Sequence, residues 1–118
     1  MIQKIHIDLD TVANRDDLFR IVASIFLFPD YFGNNWDALF DLMYSLDPET
    51  LSRISGTTDS ITGVHLIFLS FDTFEAQFPE ADMIQFCRIL VDLSANREYR
   101  WDHLSFTFEL DYSSLYWR

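Results

Sequence analysis

Apolar residues alternate or cluster in three segments of the chain, which predicts three β-strands. Residues 2–9 alternate loosely, residues 64–71 form an almost unbroken apolar run, and residues 103–110 alternate again. An unbroken run is typical of a central strand that is covered on both faces. The intervening segments read as helices, so the strands are expected to be parallel and joined by helical crossovers.

The first two helices are indicated by apolar spacing and by capping residues. Asn14 precedes apolar positions that recur at helical spacing until Pro29, and is therefore an expected N-cap. After a turn, Asn34 or Asn35 is placed to cap a second helix that runs to about residue 46.

A long helix is expected after Pro79, because proline is favoured at helix starts and acids follow it. This helix extends to about residue 96, and a short helix containing Phe74 and Phe78 precedes it. The apolar positions of the long helix predict a core-facing stripe. That expected stripe consists of Met83, Ile84, Cys87, Leu90, Val91 and Ser94.

The order of elements predicts a single α/β domain: a small three-stranded parallel sheet flanked by helices. The chain of 118 residues suits one core. Residues 47–63 are rich in Ser, Thr, Asp and Gly and are expected to form a surface excursion with one short helical turn at 49–54. Residues 111–118 form an additional C-terminal tail, and its apolar side chains are expected to pack.

Composition limits the protein class. A hydrophobic fraction of 49% excludes a disordered chain, and one cysteine excludes an internal disulfide framework. The start of the chain lacks the pattern of a signal peptide. The most apolar stretch, residues 21–28, is far shorter than the roughly 20 residues that span a membrane. We therefore expect a cytoplasmic protein without a membrane partner.

The charge balance points to a basic partner. Nineteen acids against eight Lys and Arg give a net charge of -11, which opposes binding to nucleic acid. Between residues 21 and 87 Arg53 is the single Lys or Arg against ten acids. A basic protein complements such a surface, although solubility alone also accounts for acidic composition.

Two aspartates one helical turn apart mark the second helix. If Leu39 and Met43 face the core, then Asp37, Asp41 and Tyr44 form a row on another face. Asp37 suits the first turn, where the helix dipole favours an acid. Asp41 has no such structural reason and repels Asp37, so a binding role explains it better.

Residues 28–41, Phe-Pro-Asp-Tyr-Phe-Gly-Asn-Asn-Trp-Asp-Ala-Leu-Phe-Asp, resemble the signature of the barstar family, intracellular inhibitors of ribonucleases. The resemblance implies a barstar-like fold and a protein that blocks the active site of a basic ribonuclease or a related toxin nuclease. It implies an immunity or antitoxin role without catalysis, cofactor or metal.

The resemblance also implies residue roles. Tyr31 would stack over the catalytic base of the enzyme, Gly33 would permit close approach of the loop, and Asp41 would occupy the position of the substrate phosphate. The family's acidic contact on its last helix aligns near Ile89, which is not acidic, while Asp92 lies one turn away. The candidate partner-binding residues are Tyr31, Gly33, Asn35, Trp36, Asp37, Phe40, Asp41 and Tyr44.

Structural readings of the same residues stay open. Tyr31 and Phe32 could pack the turn, Gly33 could provide a positive φ, Trp36 and Phe40 could belong to the core, and Asp41 could be a solvated surface acid.

Other functions are also open. An apolar strand that ends in Asp8 and Asp10, with Ser70 after the next strand, resembles a Mg²⁺-dependent phosphatase of the haloacid-dehalogenase type, but the expected later Lys or Arg and acidic pair do not follow. An interaction module with an unrelated partner is the remaining alternative. The histidines His6, His65 and His103 lack metal-ligand spacing, and Cys87 suits a small core residue better than a nucleophile.

Overall fold

A three-stranded parallel sheet forms the centre of the molecule. The computed structural model describes residues 1–29, 32–95 and 104–112. In these ranges the strands β1 (Ile2–Asp8), β2 (Gly63–Leu69) and β3 (Ser105–Leu110) pair in the order β1-β2-β3. Both pairings are parallel, so the predicted α/β class and the central position of β2 are confirmed.

Helices connect the strands. In the described ranges they are α1 (Arg15–Ile25), α2 (Trp36–Tyr44), α3 (Pro48–Ser55), α4 (Phe71–Gln77) and α5 (Glu80–Ala95). As expected, Asn14 caps α1, because its side-chain oxygen accepts a hydrogen bond from the backbone N–H of Asp17 at 2.9 Å.

Helix α3 is longer than the single turn that the sequence predicted. Asp47 accepts a hydrogen bond from the backbone N–H of Thr50 at 2.7 Å, and Gly56 ends the helix at a φ of 70°. Most of residues 47–63 are exposed or half-buried, but Leu51 and Ile61 belong to the core. The segment therefore contributes buried side chains as well as surface.

The sheet packs against helices on one face. The strand register places Ile5, Leu66 and Phe108 on the same side, and there Leu66 shares the core with Leu39 of α2 and Leu90 of α5. The opposite face is more open: exposed side chains of β1 and β3 flank β2 there, and His65 and Leu69 are half-buried. Ile67 of β2, on this face, is nevertheless buried, so the expectation that β2 is covered on both faces is met on the helical side and in part on the other.

The core stripe expected for α5 was wrong in part, since Leu90 is buried and Met83 packs against the core as expected, but other members do not. Ile84 and Val91, which were expected to face the core, are more than half exposed, at 54% and 56%. The residues of α5 that face the core are Phe86, Ile89, Leu90 and Leu93. Because α5 carries apolar residues on most of its circumference, their spacing did not define the buried face, and the large ring of Phe86 packs inward against Phe68.

The start of the C-terminal tail packs on α4. The ring of Tyr112 lies 5.4 Å from that of Phe71, and its hydroxyl donates a hydrogen bond to Glu75 at 3.0 Å. Residues 113–118, like His103 and residue 96, lie outside the described ranges. Among the described helices, none combines the length and the apolar character needed to cross a membrane.

We expect Leu39→Ala to destabilise the protein by about 2–5 kcal/mol, because Leu39 is 2% exposed and its truncation leaves a cavity in the core. Urea unfolding followed by circular dichroism measures this change. The matched control is Ile84→Ala, which removes a side chain that is 54% exposed and should change stability by about 0.5 kcal/mol or less. Equal losses for the two variants would contradict the packing described here.

Candidate functional site

Helix α2 has a well-defined start. The Asn35 side-chain oxygen accepts a hydrogen bond from the backbone N–H of Ala38 at 2.8 Å, while the Asn35 backbone is extended. The neighbouring Asn34 instead has a left-handed φ of 51°. The structure thus selects Asn35 of the two predicted caps and fixes Asp37 in the first turn.

Gly33 lies against this cap. Its φ is not in the left-handed region, so a positive φ does not explain the glycine. A Cβ at this position would lie 3.0 Å from Nδ2 of Asn35 and 3.7 Å from Cβ of Ala38. Close packing of the loop on the first turn of α2 therefore favours glycine here.

One side of α2 is anchored in the core. Leu39 and Met43 are buried, as the sequence predicted. The indole of Trp36 packs edge-on against Phe19 with ring centroids 5.0 Å apart, and its Nε1 donates a hydrogen bond to Asp82 of α5 at 3.4 Å. Trp36 is therefore a half-buried link between three helices.

The next aromatic residues on α2 form a stacked pair. The rings of Phe40 and Tyr44 lie 5.7 Å apart with an interplanar angle of 20°. Both side chains are half-buried, so each keeps surface that a partner can contact.

A groove of about 500 Å³ lies at the surface between α2 and α5. Asp37 and Asp41 lie on its α2 wall and are exposed. Ile89, only 7% exposed, lines the groove from the core side, and Asp92 lies one turn further along α5. Ile89, aligned with the family's acidic contact, is thus a core residue, while the carboxylate of Asp92 borders the same groove as the two aspartates of α2.

The structure therefore assembles most of the candidate residues around α2. Four of them line the groove, two shape the start of the helix, and Tyr44 stacks on Phe40. Tyr31 lies outside the described residues. The four that line the groove are Trp36, Asp37, Phe40 and Asp41.

Two further groove residues, Gln85 and Arg88, were missed from the sequence. They belong to the face of α5 that also carries Ile89 and Asp92, with the helical spacing i, i+3, i+4 and i+7. The misassigned core stripe of α5 placed this face towards solvent. A core stripe centred on Phe86 would have placed the face with Gln85 and Arg88 beside α2.

The residues of the alternative phosphatase reading have local structural roles. The Asp8 carboxylate accepts a hydrogen bond from the backbone N–H of Asp10 at 3.0 Å, and Ser70 is the residue before α4, with a φ of 59°. In the described ranges no three His, Cys, Asp or Glu side chains are grouped so that they could hold a metal ion.

Cys87 lies away from the groove, and its environment disfavours the thiolate. Burial, and after it the negative charge of Glu75, raises the pKa of the Cys87 thiol. Burial likewise raises the pKa of Tyr112, with the hydrogen bond to Glu75 as the next cause. A raised thiol pKa lowers nucleophilicity near neutral pH, in agreement with a structural cysteine.

The chain matches the model of a known protein family. The model of the family described as Barstar (barnase inhibitor) matches residues 2–111, which is nearly the whole chain and includes α2 and α5. The match ends at the start of the C-terminal tail. No curated protein was found to match the chain. The family match gives the phosphatase reading no support.

We expect Asn35→Ala to destabilise the protein by about 0.5–2 kcal/mol, because it removes the side-chain acceptor that caps α2. Asn35→Ser keeps an acceptor at the cap and should restore most of the loss. Urea unfolding of the three proteins provides the measurement. Equal stability of the alanine variant and the wild type would show that the cap does not hold the start of α2.

Proposed function

This chain belongs to the barstar family, and from that premise we propose that it binds and blocks the active site of a ribonuclease or a related toxin nuclease. Its role would be that of an immunity protein or antitoxin in the cytoplasm. Members of the family are inhibitors rather than enzymes. The observation that carries the proposal is the exposure of Asp37 and Asp41 together on one wall of the groove beside α2.

The chemistry of Asp41 fits a phosphate-binding pocket. A carboxylate, like a phosphate, accepts paired charge-assisted hydrogen bonds from an arginine guanidinium. Within the described residues the Asp41 carboxylate makes no hydrogen bond or ion pair, since the contacts to Ser45 use the Asp41 backbone oxygen. Its oxygens are therefore available to the cationic groups of a nuclease.

The rigidity of α2 supports tight binding. Its buried face, its Asn35 cap and the link from Trp36 to Asp82 hold the helix before a partner arrives. A preorganised surface loses less conformational entropy on binding. The half-buried rings of Phe40 and Tyr44 add apolar contact area next to the aspartates, as is typical of interface centres.

The loop before α2 completes the proposed contact surface. Gly33 keeps this loop close to the first turn, where a side chain would press on the Asn35 cap. Tyr31 in the same loop is proposed to stack over the catalytic base of the enzyme. Asp92 across the groove is proposed as the acidic contact that α5 supplies, because Ile89 is buried.

Net charge supports fast association with a basic enzyme. A charge of -11 attracts a cationic protein over distances comparable to the Debye length, about 8 Å at physiological ionic strength. The rate of association should therefore fall as salt is added, while the short-range contacts of Asp41 hold the complex together once it has formed.

Affinity capture from cells and medium of the source organism tests the proposed partner class. The wild-type chain and an Asp37→Ala/Asp41→Ala double variant serve as parallel baits. The proposal requires that the wild type recover a protein that cleaves RNA after release, and that the double variant recover much less. Recovery of one and the same partner by both baits would place the binding site elsewhere and would favour an unrelated interaction module.

We expect Asp41→Ala to weaken inhibition of the recovered nuclease by roughly 10- to 100-fold, because a hydrogen bond to a charged group contributes about 1.5–3 kcal/mol. The inhibition constant for RNA cleavage is the quantity to measure. Asp59→Ala is the matched control, since Asp59 is an exposed acid in the segment between α3 and β2. Small, equal effects of the two substitutions would exclude Asp41 as the central contact.

A further inference from the structure

One basic side chain, that of Arg88, lines the acidic groove between α2 and α5. Among the residues that line the groove, Arg88 is the only base, and Asp37, Asp41 and Asp92 are the acids. In residues 32–95 the only other Lys or Arg is Arg53 on α3. An arginine at this position is therefore unusual for this part of the chain and requires an explanation.

No contact in the described part of the free protein explains why position 88 is an arginine. Its side chain is exposed, and within the described residues it forms no ion pair and no hydrogen bond. Asp92 follows Arg88 by four residues on the helix, but a base that precedes an acid is the less favourable order for a helical ion pair. On the preceding turn, the residue four positions before Arg88 is the apolar Ile84.

A partner that fills the groove must cover Arg88. A guanidinium that is removed from water without a partner group is strongly unfavourable, and a cation of the nuclease placed against it would add repulsion. A carboxylate removes both costs, because it can accept two parallel hydrogen bonds from the guanidinium.

Resting on the inhibitor function proposed above, we infer that Arg88 determines partner specificity by selecting a nuclease that presents a carboxylate opposite α5. The groove then matches charges of both signs: cations of the nuclease meet Asp37, Asp41 and Asp92, and an acid meets Arg88, one turn before Asp92 on the α5 wall. A nuclease with cations along the whole rim of its active site is disfavoured by Arg88.

The acidic surroundings of Arg88 argue against a nucleic-acid phosphate as its partner. Asp37, Asp41 and Asp92 border the same groove and would repel a phosphate that approached it. A protein carboxylate avoids this repulsion only if it belongs to a surface whose neighbouring cations engage those aspartates. The rim of a nuclease active site offers that combination.

Selection from a charge library tests the inference. The probe is catalytically inactivated barnase displayed on phage, in which the residues that border the active site are varied among acidic, basic and neutral side chains. The baits are the wild-type chain, Arg88→Glu, and Arg53→Glu as a matched charge reversal outside the groove. Equal thermal unfolding midpoints of the three baits would show that the substitutions leave the fold intact.

The wild type and Arg53→Glu should enrich clones with an acid at one rim position, and Arg88→Glu should enrich a base at that position. Each bait should bind its own clones about two- to fivefold more tightly than those of the other charge, the strength of a partly exposed ion pair. If all three baits selected the same charges, the proposed role of Arg88 would be overturned, while the inhibitor function would not be affected. Failure of every bait to enrich any clone would show that no barnase-type active site fits the groove and would overturn this inference, whereas the affinity capture described above tests the inhibitor function by itself.

Discussion

The burial of one side of α2 is the constraint on which the candidate site depends. Leu39 and Met43 lie in the core, and their spacing fixes the rotation of the helix about its axis. Once that rotation is set, Asp37 and Asp41 must stand at the surface beside α5. The packing of the hydrophobic core, and not contacts of the two carboxylates themselves, therefore determines where the aspartates lie.

This arrangement explains how the chain tolerates two like charges one turn apart. Repulsion at this spacing costs an isolated helix about 0.2–0.5 kcal/mol, whereas burial of a leucine or methionine side chain contributes about 1.5–3 kcal/mol. The Asn35 cap and the position of Asp37 near the positive end of the helix dipole offset part of the repulsion. A helix held in this way can keep two like charges that do not themselves stabilise it.

The sequence predicted the parts of the fold that local chemistry decides. The Asn14 cap and the apolar strands form where the sequence predicted them, because helix capping and strand alternation depend on neighbouring residues in the chain. The buried face of α5 was mispredicted, since a helix with apolar residues on most sides is oriented by the volume available next to the sheet, which Phe86 fills. Because of the same error, Arg88 and Gln85 were not predicted as groove residues. The orientation of α2 was predicted correctly, because Leu39 and Met43 lie on a different face from its two aspartates.

In the proposed complex, α2 enters the site where the nuclease holds its substrate phosphate. Competition with a mononucleotide that occupies this site tests the claim most directly. Binding of the chain to the nuclease recovered by the wild-type bait should weaken in proportion to the nucleotide concentration, because the Asp41 carboxylate and the phosphate require the same cations. Formation of a ternary complex, with an affinity for the chain that the nucleotide leaves unchanged, would contradict the claim.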